Sequence, residues 1–183
     1  MKVESLSIPE VKLLTPRIYR DERGFFSETW SRRTFEQAGV GGDFVQDNQA
    51  YSRERGTVRG LHFQLPPMAQ DKLVRCTRGA ILDVAVDLRR SSPTYGRHVS
   101  AVLSAENWSQ MWVPKGFAHG YVTLEPDCEV VYKVTAYFAP GHDAGIAWND
   151  PALGIDWRLD GATPILSDKD RRLPPLADFY SPF

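Results

Sequence analysis

The chemistry of this chain concentrates in the run Arg59-Gly60-Leu61-His62-Phe63-Gln64, which sets one imidazole inside a pattern that otherwise reads as buried β-strand. An imidazole takes and returns protons near neutral pH, and a rigid guanidinium fork three residues away suits the oxygens of an anionic ligand. The other histidines are His98, His119 and His142. His98 and His142 fall in strand-edge and turn contexts, and His62 is followed by Phe63 and Gln64. No Glu or second His therefore stands at the spacing that a three- or four-ligand metal cage needs. The expectation is a site without metal or cofactor that works by moving protons.

The elements that position these residues read as β-strands. A chain of 183 residues with 42% hydrophobic content can bury one sizeable core, so a single domain over residues 1–183 is expected. Runs rich in Val, Ile, Tyr and Trp recur at short, even spacing: Lys72 to Thr77, Ala80 to Asp87, His98 to Ser104, Gln110 to Val113, Ala118 to Leu124 and Glu129 to Tyr137. That rhythm predicts an all-β sandwich or barrel. Upstream, Lys12 to Tyr19 and Phe25 to Trp30 read as strands flanking an Asp21-Glu22-Arg23-Gly24 turn, and Ser31 caps a helix that runs through Ala38 and stops at Gly39. From Pro140 onward the chain reads as an irregular tail with a short helix near Lys169.

Charge is balanced, with 22 basic and 23 acidic residues and a formal net charge of -1. Nothing in that balance recruits nucleic acid or an anionic membrane, so a small-molecule partner is expected. No stretch approaches 18 consecutive apolar residues. Cys76 and Cys128 lie in apolar strand contexts and no signal-peptide pattern opens the sequence, so the cytoplasm with reduced thiols is the expected compartment. Both cysteines, His98 and His142 read as structural, and Trp112, Trp148 and Trp157 as core or interface aromatics.

Pro114-Lys115-Gly116-Phe117-Ala118-His119 has the form P-x-G-x-x-H, which resembles the second motif of cupins. The resemblance then sharpens. Asp21 to Phe26 with Glu28, Gln46-Asp47-Asn48, Arg59 to Gln64, Lys72-Leu73-Val74, Asp83 to Arg89, Pro114 to His119, Tyr132-Lys133 and Leu166-Ser167-x-Lys169-Asp170 follow one another in order. Together they resemble the dTDP-4-dehydrorhamnose 3,5-epimerases. The resemblance implies a cupin-type jelly roll with a few short peripheral helices, and a homodimer that exchanges N-terminal strands. It also implies a dTDP-sugar substrate, dTDP-4-dehydro-6-deoxy-D-glucose, whose C4 ketone acidifies the hydrogens on C3 and C5.

Epimerisation at those carbons needs a base on one face, an acid on the other and a stabiliser for the enolate between them. By resemblance, His62 is the base, Asp170 its carboxylate partner, Tyr132 the opposing acid and Lys72 the charge beside the C4 oxygen. Arg23, Glu28, Gln46, Asp47 and Asn48 match positions that engage the deoxythymidine part, some of them across a dimer. Arg59 and His119 match phosphate or sugar contacts, Phe138 the ring that stacks on thymine, and Lys169 a further ligand contact. Asp143 departs from the family's usual Glu. Two other readings stay open: an epimerase acting at C3 or C5 alone, and a cupin that binds a nucleotide sugar without turning it over.

Overall fold

A computed structural model describes residues 1–183. The chain forms β1 (Lys2–Ser5), β2 (Lys12–Thr15), β3 (Tyr19–Asp21), β4 (Gly24–Phe26), the helix α1 (Arg32–Gln37), β5 (Gln46–Ser52), β6 (Val58–Gln64), β7 (Lys72–Arg78), β8 (Ala80–Asp87), β9 (His98–Ser104), β10 (Gln110–Val113), β11 (Phe117–Thr123), β12 (Cys128–Val134) and β13 (Asp143–Gly145). Two antiparallel sheets face each other. One has six strands in the order β1-β2-β10-β7-β12-β5, the other five in the order β13-β6-β11-β8-β9. This is the cupin-type jelly-roll sandwich that the resemblance implied.

The layers follow from which side chains alternate where. Ile81 and Ala85 of β8 join Val74 and Cys76 of β7, Met111 of β10 and Phe117 of β11 in a core between the sheets. The intervening Leu82, Val84 and Val86 point the other way, into a second cluster with Leu153, Trp157 and the C-terminal aromatics Phe179 and Phe183. Strand β8 is thus buried on both faces, which is why Ala80 to Asp87 reads as an almost unbroken apolar run. The C-terminal segment has little regular structure, yet it is the cover of the five-stranded sheet rather than a loose tail. On the six-stranded sheet, α1 lays Phe35 against Leu14, Leu73 and Trp112. Trp112 and Trp157 are buried, and Cys76 and Cys128 are buried free thiols.

Three element expectations need correction. Lys12 to Tyr19 is two strands, because Pro16 lacks the N–H a ladder requires and breaks the run. Phe25 to Trp30 is strand only as far as Phe26, where a two-stranded hairpin of β3 and β4 ends. Gln46 to Ser52 is a strand that pairs along its whole length with β12. Its composition, Gln-Asp-Asn-Gln, carries no β-branched signal, because it is an edge strand held by backbone pairing. The helix behaves as expected: Ser31 is its cap, accepting from the Thr34 amide at 3.4 Å, and Gly39 follows in the left-handed region at φ +66°. The short helix near Lys169 is a single 3-10 turn over Asp170–Arg172.

Candidate active site

Strand β6 builds the first half of the site through a break in its own regularity. On β11, His119 stands opposite His62 and Tyr121 opposite Arg59. Between these pairs one residue of β11, Gly120, therefore faces two of β6, Gly60 and Leu61, and the extra one is a bulge that brings Arg59 and His62 onto one face where strict alternation would separate them. Gly60 occupies the bulge at φ +124°, and a Cβ there would fall 2.6 Å from Gly120 Cα and 2.7 Å from the His119 carbonyl oxygen. Only glycine fits, which is the physical content of the Arg-Gly-Leu-His order.

The imidazole is held from the C-terminal segment. His62 Nε2 lies 2.5 Å from Asp170 Oδ1. Ser167 Oγ donates to Asp170 Oδ2 at 2.9 Å, and the Asp170 amide donates back to Ser167 Oγ at 3.1 Å. Burial pushes the Asp170 carboxyl up, but the hydrogen bonds from His62 and Ser167 and the nearby Lys169 charge outweigh it and leave it below its ordinary value. An ionised Asp170 accepts the Nε2 proton, so the lone pair resides on Nδ1, which has no partner within the chain.

Lys72 of β7 and Tyr132 of β12 come from the opposing sheet. Together with Arg59, His62, His119 and Asp170 they line a cavity of about 480 Å³ between the sheets. Burial pulls the Lys72 ammonium down to about 8, against the opposing pull of the Asp83 and Asp143 carboxylates. Burial also pushes the Tyr132 phenol up, with Arg59 opposing, so the hydroxyl keeps its proton at neutral pH. Arg59 is fixed by Ser52 Oγ at 3.2 Å and the Tyr51 carbonyl at 3.0 Å. His119 Nε2 is tied to Asp83 Oδ1 at 2.7 Å.

A hollow of about 360 Å³ shares His62, Lys72 and Tyr132 and continues outward to Gln46, Asn48 and Phe138. Gln46 and Asn48 are linked at 2.7 Å, and Gln46 Oε1 accepts from the Phe138 amide at 3.0 Å. Phe138 is exposed at this rim. Asp143 and Lys169 also line it and form an ion pair with each other, so the shorter Asp143 carboxylate is engaged within the chain.

Three expected binding residues do not reach this cavity. Asp47 points to the opposite face of β5 from Gln46 and Asn48, as alternation requires, and binds Lys133 Nζ at 2.8 Å. Arg23 lies at the exposed tip of the β3–β4 hairpin, paired with Asp21 at 2.6 Å. Glu28 accepts from Ser31 Oγ at 2.9 Å and Thr34 Oγ1 at 3.2 Å at the start of α1. Conversely, Ser167, Asp83 and Gln64 were not singled out as site residues. Gln64 bonds the carbonyls of Met68 and Tyr137 at 2.7 and 3.1 Å and accepts from the Ala139 amide at 2.8 Å, fixing the loop that carries Phe138. An inward polar residue in an apolar strand was the available signal for Asp83.

No three His, Cys, Asp or Glu side chains converge as a metal site would require, and no helix is long and apolar enough to cross a membrane. The family model of dTDP-4-dehydrorhamnose 3,5-epimerase matches residues 5–178. The chain belongs to the dTDP-4-dehydrorhamnose 3,5-epimerase family. It is 54% identical to the dTDP-4-dehydrorhamnose 3,5-epimerase of Sinorhizobium fredii over 97% of this chain and 91% of that one. Among solved structures, the Bacillus anthracis dTDP-4-dehydrorhamnose 3,5-epimerase with bound TDP and pyrophosphate superimposes with a TM-score of 0.91 at 51% identity, covering 95% and 98% of the two chains. The Legionella pneumophila enzyme in complex with dTDP-4-keto-L-rhamnose gives 0.93 at 42% identity, covering 98% and 94%. The sandwich of these dTDP-4-dehydrorhamnose 3,5-epimerase structures is therefore shared over 95% or more of this chain.

Proposed function

We infer that this protein epimerises dTDP-4-dehydro-6-deoxy-D-glucose at C3 and C5 to give dTDP-4-dehydro-L-rhamnose. The observation that carries the reading is the His62–Asp170 pair facing Tyr132 and Lys72 across one cavity, base on one sheet and acid on the other. His62 Nδ1 takes a proton from the carbon beside the ketone, and Asp170 stabilises the imidazolium that forms. The electrons pass into the C–C bond and onto the C4 oxygen, where the Lys72 ammonium offsets the charge. Tyr132 Oη returns a proton from the opposite face, and solvent restores both residues. Phe138 at the rim stacks the thymine, and Arg59 holds a phosphate.

The test is incubation with that substrate in deuterium oxide. Deuterium at both C3 and C5 with formation of dTDP-4-dehydro-L-rhamnose supports the reading. Label at a single carbon makes the protein a mono-epimerase, and no label at all makes it a binding protein. The ammonium sets a pH limit as well. Lys72 is charged below about 8 and neutral above it, so kcat is expected to fall as pH rises through about 8. Lys72→Met should lower kcat and abolish that alkaline limb; an unchanged limb in the variant removes Lys72 from the account.

We propose the same chain as a homodimer. The β3–β4 hairpin leaves Tyr19, Phe25 and Phe26 exposed, and Arg23 and Glu28 lie far from their own cavity, as residues that serve a partner's cavity would. Apolar patches of this kind mark interfaces. A single-chain mass at micromolar concentration in sedimentation equilibrium counts against it.

A further inference from the structure

Lys72 must stay charged although burial opposes it, and the negative charges around it are unevenly engaged. Three carboxylates stand near the cavity: Asp83 of β8, Asp143 of β13 and Asp170 of the C-terminal segment. Asp170 is bound by His62 and Ser167, and Asp143 by Lys169. The phenols of Tyr121 and Tyr132 are pushed up by burial and stay neutral, while the imidazoles of His62 and His119 each lie against a carboxylate. Arg59 is held by Ser52 and the Tyr51 carbonyl. Lys72 has no such close partner: its Nζ meets only the His62 carbonyl oxygen, at 3.5 Å.

Asp83 has the matching deficit. It lies between the core residues Ile81 and Ala85 on the inward side of β8 and is completely buried. His119 Nε2 occupies its Oδ1 at 2.7 Å, and its Oδ2 has no hydrogen-bond partner. The hydroxyl of Tyr121, its register partner on β11, is buried and unpartnered as well, so it does not satisfy that oxygen. A buried carboxylate with a free oxygen is costly to retain unless an opposite charge answers it. Among the charges that oppose the effect of burial on Lys72, Asp83 acts most strongly, ahead of Asp143, with Lys169 working the other way. We propose that Asp83 is a positioning residue whose free oxygen serves as counter-charge to the Lys72 ammonium, keeping it protonated and aimed into the cavity. The carboxylate acts through Lys72 and does not touch substrate. One buried charge thus serves both sheets, holding His119 on its own sheet by a hydrogen bond and Lys72 on the facing sheet by attraction across the core.

The test is Asp83→Asn, which keeps an oxygen to accept from His119 and removes only the charge. Loss of a nearby negative charge weakens the hold of Lys72 on its proton, so the direction of the effect is fixed. The alkaline fall of kcat is expected to move from about pH 8 down by about one unit or more. The same shift is expected without turnover, in the pH titration of the Lys72 13Cε resonance, assigned by its disappearance in Lys72→Met. If Asp83→Asn alone does not fold, Asp83→Asn combined with Lys72→Met is expected to fold, because the ammonium left without its counter-charge is gone; a double variant that also fails overturns the pairing. A loss of kcat that is uniform in pH, with the Lys72 resonance titrating as in the wild type, makes Asp83 a structural residue only and overturns the proposal. The kcat readout rests on the proposed epimerase activity, whereas the titration does not. A wild type that labels neither C3 nor C5 therefore overturns the epimerase reading and leaves the Lys72 titration to decide the pairing.

Discussion

Replacement of His62 by Asn is expected to lower the rate of complete double epimerisation by about 1,000-fold or more, at the upper part of the range for losing a general base together with its partner's orientation. The size follows from how much of the site depends on this ring. Asp170 is only 4% exposed and is held ionised by its bonds to His62 and Ser167. With the imidazole gone, that carboxylate remains buried beside the cavity and cannot replace it, because its lone pairs are directed at positions within the protein rather than at the substrate. An amide in place of the ring leaves Asp170 a hydrogen-bond donor, so folding is preserved and the loss appears in kcat. Product formation measured by coupled reduction checks the expectation. A variant that completes both inversions within tenfold of the wild-type rate would falsify His62 as a base.

Tyr132→Phe tests the opposite face of the same reaction. The substitution removes one oxygen from a residue whose ring packs against the inter-sheet core, so the fold is retained and the proton donor is lost. Without that donor, an abstracted proton still returns from the face it left, and solvent deuterium still enters by that route. The inverted product is expected to form about 100- to 1,000-fold more slowly, whereas isotope exchange at the first carbon is expected to fall much less. The informative quantity is the ratio of exchange to inversion, which should rise. If the two fall together, the phenol serves binding alone.

Much of this site was legible in the sequence because its residues sit in strings whose order is itself distinctive. His62, Lys72, Tyr132 and Asp170 converge as expected although they are spread over more than half of the chain, and the structure supplies the reason: β6, β7 and β12 are interior strands of the two facing sheets and line one cavity between them. Alternation could not have placed Arg59 and His62 together, since the bulge that unites them depends on the approach of β11, whose Gly120 is sixty residues away. Asp47 turns away from its two neighbours for the complementary reason. The triplet Gln46-Asp47-Asn48 resembles a binding segment, but a strand shows only every second residue to one side. Asp83 lay hidden in a run of Val, Ile and Leu whose burial on both faces needs a second layer that no local pattern announces. The N-terminal strand boundary fell at Pro16, a local break within the run, and the polar edge strand β5 was missed because it is settled by a pairing partner far along the chain.

The three bonds from Gln64 to the 64–68 and 137–139 segments have a mechanical consequence. Gln64 stands two residues from His62 on the same strand, so the strand that carries the base also fixes the ring proposed to stack on thymine. Strand β6 is in effect a ruler, carrying the imidazole itself and holding the loop of the aromatic ring through Gln64. A ligand is measured along it by the span from its base to its pyranose. If Phe138 holds the base as proposed, a sugar joined to thymidine through one phosphate instead of two is expected to be turned over more slowly, because its acidic carbon hydrogens sit farther from the imidazole.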